Sequence, residues 1–188
     1  MNRETEAPVR PAPAEGRSAT RRVPAAARFY LPDLVYGSND GVITTFAVVC
    51  GVVGAQLSAR IILILGFANL VADGFSMGAS NFLARRSYAE ATDRADRPTA
   101  AKHGVATLVG FLSAGMIPLA AYLAPIPDDV QFLAAVALTA GTLFAVGASR
   151  SLVTRLGWFR SGAEMLAVGA AAAAVAYAIG AVAAALTG

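Results

Sequence analysis

The segment from residue 61 to residue 83 reads IILILGFANLVADGFSMGASNFL and contains a single charged residue, Asp73. About 20 mostly apolar residues are enough for one helix to cross the hydrocarbon core of a bilayer. A charged side chain at that depth is costly, so by default it marks a pathway or a binding site. The segment therefore predicts a membrane-spanning helix that carries a functional acidic group.

Four further segments have the same length and apolar character. Over all 188 residues, 56% are hydrophobic and 14% are charged, whereas soluble domains carry about 25% charged residues. A soluble protein with five buried helices is the alternative, but too few polar residues remain to form its outer face. The sequence predicts an all-α integral membrane protein with five transmembrane helices, at about residues 34–56, 61–83, 104–124, 130–149 and 162–186.

The basic residues predict how these helices are oriented. In the five-helix arrangement, Arg60 alone among the 15 Lys and Arg residues falls on the opposite side from the others. Because cytoplasmic segments are enriched in Lys and Arg, the N-terminus is predicted to be cytoplasmic and the C-terminus outside. Residues 1–28, rich in Pro and Arg, predict a disordered basic tail, and residues 29–188 form the transmembrane domain. We interpret the basic cluster as a topology signal in contact with the lipid bilayer and predict no nucleic-acid partner.

The chain contains one His, His103, and one Cys, Cys50. This count excludes a disulfide framework and a Cys- or His-rich zinc site. The sequence also offers no nucleophile and base that would form a catalytic pair, so an enzyme is not predicted. We expect His103 to lie at the membrane interface, beside the basic loop, and Cys50 to pack among small residues.

The remaining polar residues at membrane depth form a pattern on the first two helices. Asp33 and Asp40 are seven residues apart, or about two helical turns, and therefore share one helix face. On the second helix, polar or sulfur-containing side chains recur at every fourth residue. Oxygen ligands with one thioether suit Mn(II) or Fe(II) as a transported ion, with no resident cofactor. The candidate metal ligands are Asp33, Asp40, Asn69, Asp73, Met77, Asn81 and Glu164.

Each candidate also has a purely structural interpretation. Asp33 is a possible N-cap of a helix that starts after Pro32. Asp40 is a possible hydrogen-bond partner of Ser38, Thr44 or a neighbouring helix, and Asp73 a possible link between helices. Packing is the alternative for Met77, Asn69 and Asn81. A favourable position near a helix N-terminus is the alternative for Glu164.

Three segments resemble the vacuolar iron transporter family. They are residues 33–52 (DLVYGSNDGVITTFAVVCGV), 66–81 (GFANLVADGFSMGASN) and 161–169 (SGAEMLAVG). The resemblance implies five helices, a cytosolic N-terminus and a homodimer whose first helices line a path at the interface. It also implies export of Fe(II) or Mn(II) from the cytosol in exchange for protons.

Carried over by motif position, Asp33 and Asp40 match the two first-helix aspartates of the family's path, and Met77 matches its second-helix methionine. Asn69 stands where the iron transporters have Glu, and Asp73 where they have a small residue. The connection from residue 84 to residue 103 is too short for the Glu-rich cytoplasmic metal-binding domain of the eukaryotic members. We therefore predict a short, bacterial-type metal exporter in the plasma (inner) membrane. The alternative is a non-transporting scaffold or metal sensor of the same fold.

Overall fold

The computed structural model describes residues 25–92, 97–152 and 157–187. Over these ranges the chain forms five long helices, and each is long and apolar enough to cross a membrane. The predicted all-α, five-helix membrane fold is confirmed. The helices are α1 (Ala25–Gly54), α2 (Ala59–Ala91), α3 (Arg97–Leu123), α4 (Asp128–Ser149), which one 3-10 turn (Arg150–Leu152) extends, and α5 (Trp158–Thr187).

The outer surface of the bundle is apolar. Large hydrophobic side chains face outward on several helices, and Phe75 of α2 is 70% exposed and Leu133 of α4 is 68% exposed. Contiguous exposed apolar surface of this kind is rare on soluble monomers. The outward face therefore fits a hydrocarbon surrounding.

Helix α1 packs against the other four helices, and its most extensive contact is with α3, which also packs against α2 and α4. Glycines allow the closest of these contacts, because a Cβ atom on Gly37 or Gly41 would overlap the backbone of α3. Likewise, a Cβ atom on Gly78 of α2 would lie 2.9 Å from the carbonyl oxygen of Gly104. Gly37/Gly41 and Gly74/Gly78 are pairs of small residues spaced four apart, and such pairs allow membrane helices to pack closely.

Helix α1 begins earlier than predicted, at Ala25, and continues through Pro32. The N-cap interpretation of Asp33 is therefore wrong, because Asp33 lies more than two turns inside the helix. Residues 25–28 are helical, and the rest of the predicted disordered tail, residues 1–24, lies outside the described residues. Helices α2 and α3 also extend beyond their predicted spans, so most of the predicted connection between residues 84 and 103 is helical.

Candidate functional site

The polar stripe predicted along α2 is present. The Asn69 Nδ2 atom donates a hydrogen bond to Asp73 Oδ2 at 2.9 Å. About two turns further along, Arg85 Nε donates to Asn81 Oδ1 at 2.9 Å. The stripe therefore continues one step of four past its predicted end, to Arg85. A neighbouring stripe of buried residues packs on α3: Ile62, Gly66, Leu70, Gly74 and Gly78.

Asp33 of α1 is buried and receives hydrogen bonds from two other helices. From α2, Asn81 Nδ2 donates to Oδ1 at 2.8 Å and Arg85 Nη2 donates to the same oxygen at 2.9 Å. From α3, His103 Nδ1 donates to Oδ2. The structure thus brings two predicted site residues, Asp33 and Asn81, together with two that the sequence did not assign to the site.

His103 is 3% exposed, so its side chain lies inside the bundle, and its position at the level of the membrane edge stays a prediction. The rings of Phe29 and Tyr30 pack against it, with centroids 4.6 Å and 5.2 Å from the centroid of the imidazole. One turn along α3, the Thr107 hydroxyl donates to the His103 carbonyl oxygen at 3.1 Å and accepts a bond from Asn81 Nδ2 at 2.6 Å. Burial is possible because His103 faces α1 and pairs with a buried carboxylate.

Asp40, two turns deeper on α1, has different surroundings. Among the described residues, its carboxylate makes no hydrogen bond and no ion pair; the Thr44 hydroxyl donates instead to its backbone carbonyl oxygen, at 2.6 Å. The Ser38 hydroxyl donates to the carbonyl oxygen of Gly110. The expected side-chain partners, Ser38 and Thr44, therefore do not bind the carboxylate. Asp73 on α2 lies close enough for the two negative charges to repel each other.

Met77 lies on α2 between Asp73, which lies near Asp40, and Asn81, which binds Asp33. It is half-buried, packs against the hydrophobic core and lines a cleft between α1 and α2 of about 620 Å³. Asp33 and Asn81 line the same cleft. Met77 therefore has both a packing contact and access to an open space that an ion could enter.

Glu164 is set apart from the other candidates. Its carboxylate accepts a hydrogen bond from Arg160 Nε at 3.1 Å on the surface of α5, and its side chain is 45% exposed. Within the described part of the chain, no three His, Cys, Asp or Glu side chains group together as metal ligands would. A cation site in one copy of the chain would therefore need the Asp40 and Asp73 carboxylates plus neutral ligands. Asn69 fits this need, because its Nδ2 donates to Asp73 and its Oδ1 stays available.

A family model described as the VIT family matches residues 31–100 and 88–181. The chain belongs to the VIT family. It is 24% identical to a vacuolar iron transporter of Toxoplasma gondii, over 80% of this chain and 73% of that protein. It is 27% identical to vacuolar iron transporter homolog 5 of Oryza sativa, over 79% of this chain and 77% of that protein. A short segment is more similar: 52 residues are 44% identical to a vacuolar iron transporter of Plasmodium falciparum, over 28% of this chain and 19% of that protein.

His103 and Arg85 are the site residues that sequence reasoning missed. Arg85 could have been predicted from the sequence, because it continues the spacing of four that begins at Asn69 by one more step. His103 was not, because its partner Asp33 is 70 residues away in sequence. The packing of α1 on α3 brings the two together.

Proposed function

We propose that this VIT-family chain is a secondary transporter that moves Mn(II) or Fe(II) out of the cytosol, in exchange for protons. The observation that carries the proposal is the pair of carboxylates, Asp40 and Asp73, on two adjoining helices within the membrane-spanning region. Several relatives are vacuolar iron transporters by name, which supports metal as the cargo. The proposal is for a transporter rather than an enzyme, with no resident cofactor.

Electrostatics explain why this pair suits a divalent ion. Two like charges in a medium of low dielectric constant repel each other strongly, and among the described residues only the neutral Asn69 amide donates a hydrogen bond to Asp73. A doubly charged cation would neutralise both carboxylates. An ion held by few ligands can also leave again, which transport requires.

The ligand types favour a transition metal over Mg(II) or Ca(II). Carboxylate and amide oxygens suit hard and borderline ions, whereas the Met77 thioether prefers softer ones. A second copy of the chain, placed against the open α1–α2 side, would double the number of carboxylates. We therefore propose a homodimer with the N-terminus in the cytoplasm, in the plasma membrane of a bacterium and without a nucleic-acid partner.

The test is metal flux into proteoliposomes that contain the purified full chain, measured for Mn(II), Fe(II), Co(II) and Zn(II) side by side. Wild-type protein should move Mn(II) or Fe(II) fastest, and Asp40→Asn and Asp73→Asn should each abolish the flux while the protein remains monodisperse. Asp129→Asn is the matched control, because Asp129 is an exposed acid at the start of α4, far along the chain from the pair. Flux that survives both site substitutions would refute the assignment.

One observation favours a second candidate, a metal sensor or scaffold that does not transport. Asn81, Arg85 and His103 all donate hydrogen bonds to the Asp33 carboxylate. Such an arrangement also suits a residue that only links α1 rigidly to α2 and α3. A sensor would bind metal and show no flux. Mn(II) binding by wild-type protein, together with flux no higher than in empty liposomes, would establish this candidate instead.

A further inference from the structure

Two cavities meet at the Asp33 cluster. The first, about 430 Å³, lies at the end of the bundle formed by the start of α1, the end of α2 and the start of α3, and Phe29, Tyr88 and His103 line it. The second is the α1–α2 cleft of about 620 Å³, which reaches Met77. Asn81 lines both cavities, whereas Arg85 lines the first and Asp33 the second. An ion that passes from the end of the bundle towards Met77 therefore meets the Arg85–Asp33 ion pair.

The Asp33 carboxylate is not open to a metal ion as it stands. Its Oδ1 atom accepts bonds from Asn81 and Arg85, and its Oδ2 atom accepts one from His103. A carboxylate offers about four lone-pair positions in all. Two of the three donors fill Oδ1, so a cation that binds both oxygens must replace Asn81 or Arg85, and the positive charge of Arg85 repels an ion that approaches Oδ2 alone.

Arg85 is the donor that can leave most easily. Its side chain is 42% exposed, whereas the His103 side chain is 4% exposed and is covered by two aromatic rings. Asn81 is held from α3 by its bond to Thr107, whereas the second bond of Arg85, from Nε to Asn81 Oδ1, is exposed and lies within α2. Arg85 has a long side chain and an open cavity beside it, so its guanidinium can swing away without disrupting the packing of the helices.

We propose that Arg85 is a tethered cation that occupies Asp33 between transport events, and that the transported divalent ion must replace it to pass from the outer cavity into the cleft. This inference rests on the proposed transport function. Arg85 is then a positioning residue, which acts through Asp33 and sets the metal concentration needed for entry. An ion carrying two charges competes with the guanidinium better than one carrying a single charge, so the pair also favours divalent over monovalent ions.

The experiment compares Arg85→Gln with Arg86→Gln in the full chain. Arg86 is the neighbouring residue on the same helix and is equally exposed, at 43%, but it pairs with Glu90. Both variants lose one positive charge, and only Arg85→Gln removes the cation from Asp33, which keeps its bonds from Asn81 and His103. If the guanidinium occupies Asp33 most of the time, Arg85→Gln should lower the KM for Mn(II) flux about three- to tenfold, since apparent affinity scales with the fraction of free sites. Arg86→Gln should leave the KM unchanged.

Two further variants exclude a merely structural effect. Arg85→Lys restores a cation and should return the KM towards the wild-type value. Arg85→Gln combined with Asp33→Asn should lose the gain in apparent affinity, because the released carboxylate is no longer there. An unchanged or higher KM in monodisperse Arg85→Gln would overturn the inference.

Equilibrium Mn(II) binding, measured from the loss of the electron paramagnetic resonance signal of the free ion, separates this inference from the proposed function. Transport by wild-type protein with no effect of Arg85→Gln on KM or on binding refutes the tethered cation alone. No transport by any variant, together with tighter Mn(II) binding in Arg85→Gln, refutes the transport function and supports competition at Asp33. No transport and no change in binding refute both.

Discussion

Asp33 and Asp40 lie seven residues apart on α1, yet their surroundings are opposite. Asp33 is buried and receives hydrogen bonds from Asn81, Arg85 and His103. The Asp40 carboxylate makes no such bond within the described residues, and the charge of Asp73 repels it. The comparison teaches that two carboxylates on one helix face can have different tasks. The protein's own donors stabilise the Asp33 carboxylate, whereas we propose that a bound cation stabilises the Asp40 carboxylate.

The largest expected effect is on stability, and it comes from a substitution that forces α1, which carries both aspartates, away from α3. In Gly41→Ala the new Cβ atom would overlap the backbone of Phe111, which cannot yield as a flexible side chain can. Overpacking of this kind costs about 3 kcal/mol. We expect a large drop in the thermal unfolding midpoint in detergent, measured by circular dichroism.

Gly51→Ala on the same helix is the matched control. A Cβ atom there would lie 3.6 Å from the carbonyl oxygen of Ala176, an ordinary contact. The stability of this variant should remain close to that of the wild type. Equal stability of Gly41→Ala and Gly51→Ala would contradict the close packing of α1 on α3.

The next effect tests the comparison directly, through stability rather than transport. Asp33→Asn weakens three hydrogen bonds, of which the two to the less exposed Asn81 and His103 matter most, so it should cost about 2 kcal/mol. For a chain of this size the unfolding midpoint should then fall by about 5 °C. Asp40→Asn breaks no side-chain bond to any residue that the structure describes and relieves the repulsion by Asp73, so its unfolding midpoint should stay the same or rise. Equal losses in the two variants would show that the carboxylates do not differ.

The smallest expected effect is on metal affinity, and it concerns only the Asp40 and Asp73 pair. Asn69→Ala removes the amide that donates to Asp73. The loss of a group that orients a metal ligand typically weakens metal binding at least about tenfold. We expect the KM for Mn(II) flux to rise by about that factor, with little change in thermal stability. An unchanged KM would mean that Asn69 contributes packing only.

The five helices could be predicted because an apolar run of sufficient length is a local property. Helix ends could not, since the first turns of α1 and the last turns of α2 are helical although they carry polar and charged residues. The stripe on α2 was predictable from its spacing of four. That Asn69 binds Asp73 while Asn81 binds Asp33 depends on which helix lies opposite, and spacing alone does not reveal this.

The same limit explains the outcome for single residues. Glu164 lies near the start of α5, as its position in the sequence indicated, but its contact with Arg160 leaves it apart from the other candidates. Its role as a metal ligand stays a prediction. The basic loop beside His103 indicates its level along the helix but not its direction, and its side chain faces the interior of the bundle.

The most direct test of the central claim is an equilibrium titration of the purified chain with Mn(II), followed by the electron paramagnetic resonance signal of the free ion. The claim is that the metal binds where the protein leaves a carboxylate unsatisfied, at Asp40. Wild-type protein and Asp129→Asn should bind Mn(II) with the same affinity, and Asp40→Asn should show no binding over the range in which the wild type saturates. Binding by Asp40→Asn with the wild-type affinity would contradict the claim.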